Sequence, residues 1–185
     1  YTITDPHSAT ASATVSVTID GLGIPVGNDI GTTDEDTPLT MSFDSLLAND
    51  TVPQGSQLVI LNIENTGSLT GIASIDFDSS TITYNPNSQF DNLANGDEAT
   101  ESFNYVVGDT MGDTGEGLIT ITIQGINDAP VGISDQFSVG NLGVSTVSTS
   151  VLNNDSDIDN PEDLVIVAPL QITTNAGAQA TLDSA

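Results

Sequence analysis

The chain has 185 residues, with 26 Asp and Glu, one His and no Lys, Arg or Cys, for a formal charge of −26. That balance excludes nucleic-acid binding and attachment to anionic lipid headgroups, and it removes lysine Schiff bases, arginine clamps, disulfides, thiolate nucleophiles and zinc-thiolate sites. Leu, Ile, Val and Phe still make up 50 of the 185 residues, enough for a core, so every carboxylate must face solvent, accept backbone N–H groups or bind an external cation.

Taken in chain order, the predicted elements are all strands. Apolar residues alternate with Thr and Ser at Val15, Val17 and Ile19, then at Leu39, Met41 and Phe43. The same period-two pattern returns at Phe103, Tyr105 and Val107 and at Ile119, Ile121 and Ile123. Two continuously apolar runs, Leu58-Val-Ile-Leu61 and Leu164-Val-Ile-Val167, suit central strands covered on both faces. Gly, Asn, Asp and Pro clusters punctuate at short spacing, and no helical stripe interrupts them. No run reaches the ~18 apolar residues of a membrane span, so membrane insertion is not expected.

Self-comparison reveals a repeat. Tyr1-Thr-Ile-Thr-Asp5 returns as Tyr105-Val-Val-Gly-Asp109, and Val15-Ser-Val-Thr-Ile19 as Ile119-Thr-Ile-Thr-Ile123. Ile24-Pro-Val-Gly27 returns as Ala129-Pro-Val-Gly132, and Leu46-Leu-Ala-Asn-Asp50 as Val151-Leu-Asn-Asn-Asp155. A period of about 105 residues gives three units: residues 1–24 as the C-terminal strands of a first repeat, 25–130 as a complete repeat, and 131–185 as the N-terminal half of a third. Seven or so short strands in ~105 residues is the rhythm of an immunoglobulin-like β-sandwich, here arranged end to end through short proline-marked junctions. The chain therefore reads as a window on a longer polypeptide, or as one whose ends complete neighbouring copies.

Acidic residues cluster at defined points of the repeat: Asp34-Glu35-Asp36, Asp97-Glu98, Asn127-Asp128, and Asp155-Ser-Asp157-Ile-Asp159 followed by Glu162-Asp163. Hard oxygen donors in such numbers, with no nitrogen or sulfur among them, form the coordination set of Ca²⁺. Repelling carboxylates with no Lys or Arg nearby destabilise a fold unless a cation sits among them. Other readings are weaker. His7 reads as an exposed imidazole, the sequons at Asn49 and Asn154 as turns, and the pairs Asp76/Asp78 and Glu98/Glu101 lack an aromatic wall for glycosidase work.

The residues resemble a family. Thr33-Asp-Glu-Asp-Thr-Pro-Leu39, Leu46-Leu-Ala-Asn-Asp50, Phe103-Asn-Tyr-Val-Val-Gly-Asp109, Ile126-Asn-Asp-Ala-Pro130 and Val151-Leu-Asn-Asn-Asp-Ser-Asp-Ile-Asp159 resemble the cadherin-like tandem repeats, including VCBS-type repeats, of giant bacterial RTX-type adhesins and surface proteins. The resemblance implies an interdomain calcium site between the second and third repeats. Its ligands would be Glu35, Asp97, Glu98, Asn127 through its carbonyl, Asp128, Asp155 and Asp157, with Asp159 and Asp163 as further candidates. Gly125 stands where a cadherin linker carries its first Asp, so fewer or weaker sites are implied. At the first junction Gly23-Ile24 replaces Asn-Asp, leaving Asp50, Asp20 and Asp109 and an expectation of poor calcium binding.

The function expected is non-catalytic: an extracellular, calcium-rigidified spacer on a bacterial surface, whose partners are neighbouring repeats of the same chain. The alternative is a subunit of a self-assembling filament or surface layer, in which identical chains donate strands to one another. Glycan binding by this segment is disfavoured by the absence of Trp and the scarcity of aromatics.

Overall fold

The computed structural model describes residues 1–16, 23–52, 55–136, 150–160 and 164–167. Elements in chain order are β1 (Thr2–Thr4), β2 (Thr10–Ser12), β3 (Asp29–Asp34), β4 (Leu39–Ser42), the one-turn helix α1 (Phe43–Leu46), β5 (Leu58–Glu64), β6 (Ile72–Asp76), β7 (Thr81–Asn85), β8 (Glu98–Asp109) and β9 (Thr114–Gln124).

Strands β3 to β9 build two facing sheets. One has the order β3-β9-β8-β5, the other β4-β7-β6. All pairings in them are antiparallel except β3 with β9, which run parallel from Asp29↔Ile119 to Asp34↔Gln124. The alternation read from sequence sets the inner faces: Phe103, Tyr105, Val107, Ile119, Ile121 and Ile123 are fully buried. Ile82 and Tyr84 of β7 and Met41 of β4 meet them from the opposite sheet. Between these positions lie half-buried Thr120 and Thr122, as a strand with one face on the core requires.

Three expectations differ from the structure. Leu58-Val-Ile-Leu61 does not form a covered central strand. It opens β5, which pairs only with β8 and shifts register between Ile60 and Asn62. Ile60 alone enters the core, while Val59 and Leu61 are 50% and 46% exposed. Leu164–Val167 forms no strand, and Val165, Ile166 and Val167 are exposed. A continuous apolar run reports side-chain chemistry and carries no information on how many neighbours a strand will find. The all-strand reading also omitted α1, whose Ser42 caps it by accepting the Ser45 N–H. One turn is too short for hydrophobic periodicity to register. Val17 and Ile19 lie outside the described residues.

Two side chains join separate hairpins. Burial alone would raise the Glu101 carboxyl, but the Tyr84 hydroxyl at 2.6 Å and the N–H groups of Thr70 and Gly71 outweigh it and hold it below the ordinary value. Glu101 thereby ties β8 to the β6 entrance. Asp109 closes the β8–β9 hairpin by accepting the N–H groups of Met111 and Asp113, both at 2.9 Å.

Candidate metal centre

Parallel pairing of β3 with β9 carries two chain segments to the same end of the sandwich. Beyond the last register pair, the Glu35 N–H donates to the Gln124 carbonyl at 3.1 Å, and Glu35 Oε1 accepts the Ile126 N–H at 3.1 Å. Glu35 is only 1% exposed, and its Oε2 is buried with no hydrogen-bond partner. Asp128 follows two residues after Ile126. Its N–H donates to Asp159 Oδ2 at 2.6 Å, and the other oxygen of Asp159 is likewise buried and unpartnered. One carboxylate oxygen from each of Glu35, Asp128 and Asp159 lies within 4.8 Å of the others.

The loop carrying Asp159 is shaped by its own acids. Asp155 Oδ1 accepts the Ile133 N–H at 2.7 Å, and Asp157 Oδ1 accepts the N–H groups of Asp159 and Asn160 at 3.0 and 2.9 Å. Val131 and Ser156 exchange two backbone hydrogen bonds, anchoring this loop to the chain just past Pro130. Asp155 and Asp157 thus hold the turn that presents Asp159.

Electrostatics at this place are unfavourable to bare carboxylates. Burial raises Glu35 above the ordinary range, the Ile126 N–H partly offsets this, and the charges of Asp159, Asp128 and Asp36 push it further. Asp128 is raised by loss of solvent and by Asp36, Asp159, Asp91 and Asp157. Two buried carboxylate oxygens without a proton donor, in a chain with no Lys or Arg, fit a hard cation with oxygen ligands.

Of the expected ligands, Glu35, Asp128 and Asp159 are brought together. Asp157 stays within electrostatic reach of Asp128. Asp155 is committed to the loop, and the exposed Asn127 directs its side-chain amide to the Asp128 carbonyl. Asp97 and Glu98 are exposed: Asp97 contributes its backbone carbonyl to the Gly125 N–H, and Glu98 Oε1 accepts from Gln124. Asp163 lies outside the described residues. Asp91 was not singled out from sequence, because a lone Asp in an irregular loop has no pattern to announce it.

A second acidic pair sits at the opposite end. Tyr105 Oη donates to Asp29 Oδ2 at 2.8 Å, and Asp50 Oδ1 accepts the Gly27 N–H at 2.8 Å while its Oδ2 is buried and unpartnered. Asp109, grouped with Asp50 in the sequence reading, is engaged instead with Ser56 and the β8–β9 turn. Burial raises both Asp29 and Asp50; Tyr105 and Asn49 oppose it at Asp29, Gly27 at Asp50.

These shifts fix a pH dependence. Glu35, Asp128, Asp29 and Asp50 hold protons more tightly in the folded chain, so their contribution is greatest in acid and is lost as pH rises through their raised values. Glu101, Asp109 and Asp76 do the opposite and lose their contribution as pH falls through their lowered values. Calorimetry in EDTA should therefore show a melting temperature that rises from about pH 7.5 to about pH 5 and drops below about pH 3.5. The rise should persist in ~0.3 M KCl, which screens diffuse surface repulsion more than buried pairs. A melting temperature that falls steadily from pH 7.5 downward would contradict the assignment.

A seven-stranded sandwich with its first strand parallel to its last, closing over one core, defines an immunoglobulin-like domain. Residues 23–122 match the family model of the bacterial Ig domain, and the chain belongs to that family. No curated protein matches the chain. Among solved structures, a SusE-like surface located polysaccharide binding protein from the heparin utilisation locus of Bacteroides thetaiotaomicron is similar at 11% identity with a TM-score of 0.29, over 56% of this chain. The chain spans 14% of that protein's length, and a likeness of this degree carries no functional assignment.

Proposed function

We propose that this chain is a non-catalytic spacer segment of a large bacterial surface protein, of the cadherin-like or VCBS type, in which Ca²⁺ stiffens the junction between successive Ig-like repeats outside the cell. The observation that carries this reading is the grouping of Glu35, Asp128 and Asp159 within 4.8 Å across the Ile126–Pro130 junction, with buried unpartnered oxygens on Glu35 and Asp159. Glu35 belongs to the complete repeat and Asp159 to the following one, so a cation held there would tie the two together. Asp128 on the connecting segment would act as the third anchor. Bound calcium would supply positive charge and an oxygen-ligand cage. The chain's part is to bring the carboxylates to one place and, through Asp155 and Asp157, to hold the loop that presents Asp159.

Calorimetry of the full chain in EDTA and in millimolar CaCl₂ tests this. For a Kd of about 10⁻⁴ to 10⁻³ M, a tenfold excess stabilises by about 1.4 kcal/mol, so the melting temperature should rise by several degrees. X-ray scattering should show an increased maximum dimension in the same buffer. A shift under about 2 °C with unchanged scattering would sink the reading.

A second reading, assembly by strand donation between chains, is favoured by one observation. Tyr1 and Ile3 are 70% and 60% exposed, whereas their repeat equivalents Tyr105 and Val107 are fully buried. Light scattering distinguishes the two: a spacer remains monomeric across concentration, and a strand-donating subunit does not.

A further inference from the structure

The missing linker acid at Gly125 has a structural cause. A Cβ at this position would lie 2.5 Å from the Leu93 carbonyl oxygen and closer still to that of Ala94. Both are backbone atoms, so no rotamer change relieves the overlap. The loop they belong to is well tied. Leu93 N–H donates to the Phe90 carbonyl and Asp97 N–H to the Ala94 carbonyl, each at 2.8 Å, and Gly125 N–H donates to the Asp97 carbonyl at 2.9 Å. Phe90 and Leu93 also pack on the core. Gly125 therefore permits a close approach that any side chain would prevent.

That approach carries Asp91 to the junction. Its Oδ1 is buried and has no hydrogen-bond partner. Its charge acts on Asp128 together with those of Asp36, Asp159 and Asp157. The same junction receives Glu35, almost fully buried, with an oxygen that no donor satisfies. A second orphaned carboxylate oxygen arriving from an independent loop points to a shared occupant rather than to a solvated acidic surface.

We propose that Asp91 is a further ligand of the junction cation, delivered by the loop that packs on Gly125, and that it supplies the carboxylate which position 125 lacks. The exposed Asp97 and Glu98 are then not the acids this loop contributes. The proposal rests on the calcium reading above.

Calorimetric titration of the full chain with CaCl₂, with circular dichroism to verify folding, separates the two. The wild-type chain should bind. Asp91→Asn should weaken Kd by about tenfold and Asp91→Ala by more, while Asp97→Asn changes it less than about threefold. If both Asp91 variants bind as the wild type does while Glu35→Gln fails to, Asp91 is no ligand and the calcium reading survives. A larger loss from Asp97→Asn than from Asp91→Asn would also overturn the proposal. If the wild-type chain itself takes up no calcium, the underlying reading fails first.

Discussion

Glu35→Gln should make the metal-free chain more stable and remove its response to calcium. The two effects have one origin. Oε1 of Glu35 accepts the Ile126 N–H, and a glutamine oxygen can keep that bond. Oε2 is buried without a donor and faces the charges of Asp159, Asp128 and Asp36. An amide of the same shape removes the buried charge and offers N–H donors toward those carboxylates, worth about 1 to 3 kcal/mol in EDTA. In millimolar CaCl₂ the order reverses, because the variant has lost an anionic ligand at a site whose affinity depends on ligand charge. Melting curves in the two buffers should therefore cross: variant above wild type in EDTA, wild type above variant in calcium. A variant that is weaker in EDTA and still rises with calcium would show that Glu35 has an ordinary structural role.

This inversion separates two meanings of a buried acid. Glu101 is also partly buried, yet it receives the Tyr84 hydroxyl and two backbone N–H groups and is held in its charged form by the protein alone. Glu35 receives one. The difference in donors, not in burial, marks Glu35 as a residue whose charge awaits something external.

The sequence made the inner faces of the sandwich readable because alternation is a property of single strands. Ile119, Ile121 and Ile123 fall on the core for the same reason that they alternate with Thr. Strand order is not local, and Leu58–Leu61 was therefore misplaced as a central strand. Of the candidate ligands, Glu35 and Asp128 were legible through their positions at the ends of the repeat. Asp159 was legible only as an extra, since which acid of Asp155, Asp157 and Asp159 turns inward depends on the hydrogen bonds that the first two make to their own loop. Asp91 was invisible. Its meaning comes from contacts between Gly125 and the Leu93 and Ala94 carbonyls, about thirty residues apart in sequence.

The largest loss of stability is expected from a single methyl group. Gly117 pairs directly with Tyr105 across β8 and β9, and the tyrosine ring lies over it. A Cβ at 117 would sit 2.5 Å from Cζ and 2.7 Å from Oη of that ring. The ring has nowhere to go: Tyr105 is fully buried, and its hydroxyl is bonded to Asp29 Oδ2. Gly117→Ala should thus cost about 3 kcal/mol, the upper end of ordinary overpacking, and lower the melting temperature by more than about 10 °C. Gly67→Ala, with nothing within 4 Å of the added carbon, should stay within about 1 kcal/mol of wild type. A double-mutant cycle identifies the cause. Tyr105→Ala is itself costly, about 3 to 5 kcal/mol, but once the ring is gone the methyl at 117 should cost almost nothing more. Because β9 runs from Gly117 to Gln124, which pairs with the end of β3 beside Glu35, the same substitution should also weaken calcium binding without touching a ligand. Additive losses in the cycle would mean that the ring does not pin β9.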